Sequence, residues 1–245
     1  MTALTGLDMR MRLSRLYLCT DARRRQGDLA DFLQAVFAGG VDIVQIRQKG
    51  MSAEEELAAL QLARTVAASY QGLVAVNDSA ELAGSSRADV LHLGQDDGNS
   101  EPARRWLSKW SHIGRSTHGR DQVDSAIDDP DVDYFCVGPV WATPTKPEYR
   151  PVGLELIRYA AEQAPTADID AKPWWAIGGI CLDTIDDVIA AGARRVVVVR
   201  AITEADDPQH AAEQLRAKLV RAWTTPEMKT YTAGAVAGTS KLVRG

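Results

Sequence analysis

The feature that most constrains this chain is an alternation. A short apolar segment followed by a helical pattern recurs eight times in succession, with segment starts mostly about 20 to 30 residues apart. The apolar segments predict strands over 16–21, 42–47, 73–76, 90–93, 112–116, 134–137, 174–177 and 195–199. The intervening patterns predict helices over 29–37, 52–70, 81–83, 103–110, 122–127, 154–164, 184–191 and 208–223. Local signals agree. Ser52-Ala53-Glu54-Glu55 is a capping box, and Gly39-Gly40 closes the preceding helix. The last strand is almost pure valine, as expected where both faces are covered. Strict alternation argues for a parallel sheet, and eight units argue for closure into an α/β (β/α)8 TIM barrel, a single domain over 14–223. An open doubly wound sheet would carry a glycine-rich turn after the first strand, and Thr20-Asp21-Ala22-Arg23 is not one. Residues 1–13 read as an N-terminal extension. Residues 224–245, rich in Gly, Ala, Thr and Ser and without periodicity, read as a disordered tail.

Composition narrows the partners. A net charge of -5 argues against a nucleic-acid surface, so any anion site must be a local gathering of cations. The N-terminal residues hold no continuous apolar run of the kind a signal peptide needs, and no stretch approaches the roughly 20 apolar residues that cross a bilayer. Cys19, Cys136 and Cys181 lie far apart and lack zinc spacing, which suits reduced thiols in a cytoplasmic protein. The four histidines show no ligand spacing either.

In barrels of this kind the chemistry sits at the carboxyl ends of the strands. Along Val44-Gln45-Ile46-Arg47-Gln48-Lys49, strand geometry sends Gln45, Arg47 and Lys49 to one face and Val44 and Ile46 to the other. An arginine fork, a lysine charge and an amide suit a phosphate ester, though a strand end running into solvent would look similar. Asp78 and Asp97 end neighbouring strands and suit Mg2+ shared with substrate phosphates; a helix cap and a turn residue are the plainer alternatives. Thr143-Pro144-Thr145-Lys146-Pro147 lies in a long loop after the sixth strand, where two hydroxyls and a lysine could grip a phosphate. Gly178-Gly179 follows the seventh strand, at a place where barrels often bind phosphate through backbone N–H groups and where a tight turn also needs glycine.

Taken in order, Val44 to Lys49, Val76-Asn77-Asp78, Leu91-His92-Leu93-Gly94-Gln95-Asp96-Asp97, Gly138-Pro139 with Thr143 to Lys146, and Ala176-Ile177-Gly178-Gly179-Ile180 resemble the thiamine phosphate synthase family. The resemblance implies a transferase that joins hydroxymethylpyrimidine pyrophosphate to hydroxyethylthiazole phosphate and releases pyrophosphate. It implies that Gln45, Arg47, Lys49, Asn77, Ser116 and Lys146 bind the pyrimidine pyrophosphate, with Arg47, Lys49 and Lys146 catalytic. It further implies Asp78 and Asp97 on Mg2+, and Thr143, Thr145, Gly179, Val199 and Arg200 around the thiazole phosphate. Three positions depart from the family pattern: Gln48 replaces an acid, Ser79 an arginine and Arg200 a serine. Two rival readings are a thiazole tautomerase, which would not need the pyrophosphate and Mg2+ set, and a non-catalytic ligand-binding barrel. The sequence leaves open whether the chain forms a homo-oligomer.

Overall fold

The computed structural model describes residues 2–143 and 149–238. Its eight parallel strands are β1 (Leu16–Thr20), β2 (Ile43–Ile46), β3 (Leu73–Asn77), β4 (Val90–Leu93), β5 (His112–Thr117), β6 (Tyr134–Val137), β7 (Trp174–Ile177) and β8 (Val196–Val198). They hydrogen-bond in sequence order, and β1 pairs with β8 to close the barrel. The principal helices between strands are α2 (Leu29–Ala38), α3 (Ala53–Ser69), α4 (Ala80–Ser86), α5 (Ser100–Arg104), α6 (Arg120–Asp128), α7 (Gly153–Gln163) and α8 (Ile185–Ala190). After β8 come the short α9 (Arg200–Thr203) and the long α10 (Pro208–Ala222). The expected capping box opens α3, with Ser52 accepting the Glu55 N–H and Glu55 returning the bond to the Ser52 N–H. The fifth helix starts earlier than expected and is a single short turn, with Pro102 inside it.

Strand alternation creates two apolar layers. Val44, Ile46, Val74, Val76, Leu91 and Ile113 face outward and pack beneath the helices. Tyr17, Ile43, Leu73, Ala75, Val90, Tyr134, Cys136, Trp175 and Val197 fill the interior, so the barrel is a packed core rather than a pore. Gly114 on β5 makes room for that filling, because a Cβ there would lie 2.0 Å from Cζ of Tyr134.

The N-terminal extension is helical, and the C-terminal end differs from the sequence expectation. Residues of the N-terminal extension form α1 (Thr2–Leu13), whose Leu7 and Met11 join the interior cluster. The tail expected to be disordered holds α11 (Pro226–Ala237). Met228, Tyr231 and Ala235 of α11 pack with Trp223 into a separate apolar cluster. Spacings of three and four put these side chains on one helical face, a stripe too sparse to stand out among Thr, Gly and Ala. Thr225 accepts the Met228 N–H, Pro226 occupies the first turn and Gly238 ends the helix at φ +67°. The fold gives the helix a job: buried Arg195 donates to the Arg12 carbonyl at 2.9 Å and to the Tyr231 hydroxyl at 2.8 Å. Its guanidinium also stacks near the rings of Trp175, Trp223 and Tyr231. Residues 239–245 lie outside the described residues.

Candidate active site at the barrel mouth

A cavity of about 390 Å³ opens at the carboxyl ends of the strands. It is floored by the uppermost interior residues, among them Tyr17, Cys19, His92, Cys136 and Ile177. Gln45, Arg47, Asn77, Ser116, Thr143, Gly179, Val199 and Arg200 all line it. Eight of the residues expected from the sequence therefore converge on a single cavity.

Each side chain owes its place to strand register. Gln45 sits beside Cys19 of β1, Asn77 beside His92 of β4, and Ser116 beside Cys136 of β6. Gln45 is buried and held from both sides. Its amide NH2 donates to the Tyr17 hydroxyl at 2.9 Å, and its carbonyl accepts the Cys19 thiol at 3.3 Å. Arg47 lies just past β2, half-buried, its backbone N–H fixed on the Thr20 carbonyl at 2.8 Å. Arg47 lines the cavity and a neighbouring recess whose lining also includes Arg200, Asp21, Glu204 and Arg23, the last already paired with Asp28. Arg47 and Arg200, both on the cavity lining, suit an anion. Ser116 receives the Gln95 amide on its backbone carbonyl and faces His92 with its hydroxyl.

The loops after β6 and β7 interlock behind Thr143 and Gly179. Gly178 has φ +103°, and a Cβ there would come within 2.4 Å of the Pro139 Cα, so only glycine allows that contact. The Val140 and Trp141 N–H groups donate to the carbonyls of Ile177 and Gly178. His118 bonds the Gly138 carbonyl through Nδ1 and stacks on Tyr149 at 4.3 Å. Thr145 and Lys146 of this loop lie outside the described residues.

Three expected residues do not line the cavity. Lys49 is exposed beyond the end of β2. Asp78 and Asp97 are exposed at the ends of the adjacent strands β3 and β4. Ser79, not Asp78, caps α4, accepting the Leu82 N–H at 3.2 Å; this removes the helix-cap explanation for Asp78. Asp78 instead adopts a left-handed backbone at φ +66°, uncommon for a non-glycine residue and more frequent at functional positions. Asp97 does serve its turn, one carboxylate oxygen accepting the Gly94 N–H at 2.7 Å. Two hard carboxylate donors on neighbouring strand ends fit Mg2+, whose preferred oxygen shell would be completed by water and phosphate. Gln48, at one of the departures, has its side-chain carbonyl on the Ala22 N–H at 3.0 Å and ties the β1 loop to the β2 loop.

His92, Tyr17 and the three cysteines also line the cavity, and none was given a role in the site from the sequence. For His92 a signal existed: it is the polar residue at an interior position of β4, in register with Asn77. Burial pushes the Tyr17 and Tyr134 phenols well above their usual range, so both stay protonated.

Closed barrel, mouth cavity and convergent cations, amides and hydroxyls define the class: a (β/α)8 barrel with an anion-suited site at the strand carboxyl ends. The thiamine monophosphate synthase (TMP-TENI) family model matches residues 16–202. The chain is 53% identical over 226 residues to a thiamine-phosphate synthase of Saccharopolyspora erythraea, covering 89% of this chain and all of the relative. It is 52% identical to that of Mycobacterium marinum over 222 residues, covering 87% and 98%. Among solved structures it is similar to thiamine phosphate pyrophosphorylase from Pyrococcus furiosus. That match has a TM-score of 0.76 and 27% identity, covering 87% of this chain and 98% of that one. The chain belongs to the thiamine monophosphate synthase family.

Proposed function

We infer that the chain joins 4-amino-5-hydroxymethyl-2-methylpyrimidine pyrophosphate to hydroxyethylthiazole phosphate, forming thiamine phosphate and pyrophosphate. The observation that carries this reading is the shared cavity. Groups suited to a diphosphate (Gln45, Arg47, Asn77 and Ser116) and groups suited to a second phosphate (Thr143, Gly179, Val199 and Arg200) line the same space. Relatives more than half identical to the chain carry the name of the synthase. The tautomerase and non-catalytic readings find no support among them.

In the proposed mechanism the C–O bond to the diphosphate breaks first, and negative charge builds on the leaving group. Arg47 meets that charge from the cavity lining, and Lys49 and Lys146 are the further cations assigned to it; their attraction grows as the charge develops, which lowers the barrier. Asp78 and Asp97 are the residues to hold Mg2+, which when bound supplies further positive charge to the diphosphate oxygens. The thiazole nitrogen brings its own lone pair, so no strong general base is required. Thr143, Thr145, Gly179 and the chain at Val199 and Arg200 hold the thiazole phosphate and aim the ring at the pyrimidine methylene. Cytoplasmic residence accords with the three thiols and with the absence, among the described residues, of any helix long and apolar enough to cross a membrane.

The test mixes the protein with both substrates, with and without Mg2+, and reads thiamine phosphate after oxidation to its fluorescent product. Product that forms only with both substrates and Mg2+ is the expected outcome. Asp97→Ala and Lys146→Ala are expected to lower turnover by orders of magnitude while remaining folded. Near-normal turnover in both folded variants would refute the assigned roles.

A further inference from the structure

Beneath the cavity, a line of hydrogen bonds crosses the barrel from β2 to β5. The Gln45 amide NH2 contacts the Tyr17 hydroxyl at 2.9 Å, and Tyr17 lies 3.5 Å from the Tyr134 hydroxyl. Tyr134 is 3.0 Å from Nδ1 of His92, and Nε2 of His92 is 2.9 Å from the Ser116 hydroxyl. Both ends of this line, Gln45 and Ser116, line the cavity.

The direction of the line follows from its first member. An amide NH2 can only donate, so the Tyr17 oxygen accepts there and its proton points onward to Tyr134. The Tyr134 proton then points to Nδ1, which must be the unprotonated ring nitrogen. Nε2 therefore carries the hydrogen and donates to the Ser116 oxygen, whose own proton is left to be given into the cavity. The Cys19 thiol donating to the Gln45 carbonyl holds the amide in the orientation that starts the line. Both phenols are fully buried and protonated, so each passes on a donor rather than a charge.

We propose that Gln45, Tyr17, Tyr134 and His92 form a one-way hydrogen-bond relay that fixes His92 as its Nε2–H tautomer and presents the Ser116 hydroxyl as a donor to the substrate diphosphate. Tyr17, Tyr134 and His92 are thus positioning residues acting through Ser116. The proposal rests on the synthase reading for the identity of the anion; the tautomer itself does not.

Two measurements test it. In 15N-labelled wild-type protein without substrate, long-range 1H–15N correlation spectra are expected to show His92 protonated at Nε2 alone, its signals assigned by their loss in His92→Gln. Protonation at Nδ1 overturns the proposal. In steady-state kinetics, Ser116→Ala is expected to lower kcat/KM for the pyrimidine substrate about 10- to 100-fold, the scale of a hydrogen bond to a charged group. Tyr134→Phe is expected to lower it about 3- to 10-fold with the KM for thiazole phosphate unchanged. Added to Ser116→Ala, Tyr134→Phe should cost nothing more, because the relay then has no end to present. Fully multiplying losses in the double variant overturn the relay, since a merely structural tyrosine would act independently of Ser116. Tyr17→Phe, run through the same cycle, decides the question if Tyr134→Phe fails to fold. Wild-type protein that forms no thiamine phosphate while showing the Nε2–H tautomer would sink the synthase reading and leave the tautomer assignment standing.

Discussion

Gly114→Ala is a one-carbon test of how tightly the barrel interior is filled. The added methyl would meet Tyr134 at 2.0 Å from Cζ, 2.2 Å from Cε1 and 2.5 Å from Cε2, distances no real packing tolerates. The ring has nowhere to retreat. Tyr134 is completely buried, stands edge-on to Trp175 at a centroid distance of 5.3 Å, and bonds His92 through its hydroxyl. Gly114 does not have a positive φ, so the effect is steric and owes nothing to backbone preference. Overpacking of this kind costs about 1–3 kcal/mol. Displacing the hydroxyl from His92 adds about 1 kcal/mol, for a total of about 2–4 kcal/mol. For a chain of this size that corresponds to a fall of about 4–16 °C in Tm, read by circular dichroism. Tyr134→Leu removes the clashing ring atoms, so adding Gly114→Ala to it should lower Tm little further. A Gly114→Ala protein melting with the wild type would mean that the ring can shift freely, and the packing argument would fail.

Tyr231→Phe should lower stability by about 1–3 kcal/mol, because the buried Arg195 guanidinium loses a hydroxyl partner; urea midpoints check this, and an unchanged midpoint would make the C-terminal helix an ornament. The pH dependence of Tm carries a second signature. Burial, outweighing the nearby Asp133 and Asp8 carboxylates, holds the His112 imidazole below its usual range. The unfolded chain thus binds that proton more readily, so the contribution is complete above the unfolded value near about pH 6.5 and is lost as pH falls below it toward the folded value. His112→Gln is expected to flatten the slope of Tm across that acidic window, and a slope as steep as in the wild type would remove His112 from the explanation.

The eight strands were legible because hydrophobic pattern and turn chemistry are local properties, repeated often enough to reinforce one another. The barrel followed from their count and order. Much of the cavity lining was legible for a related reason: polar residues at strand ends, such as Gln45, Arg47, Asn77 and Ser116, stand out against the valine-rich segments they terminate. The helix at Pro226–Ala237 was not, since its apolar stripe of Met228, Tyr231 and Ala235 has meaning only opposite Trp223 and the buried Arg195.

The order of residues alone determined the strand–helix alternation and which side chains would point inward, because two-residue periodicity allows no other choice once a strand forms. Only the closed barrel decided that Tyr17, Tyr134 and His92, from three different strands, would stand in hydrogen-bond contact. Tyr17 and Tyr134 are 117 residues apart in the chain, and such partners are set by strand tilt and register when the sheet closes on itself.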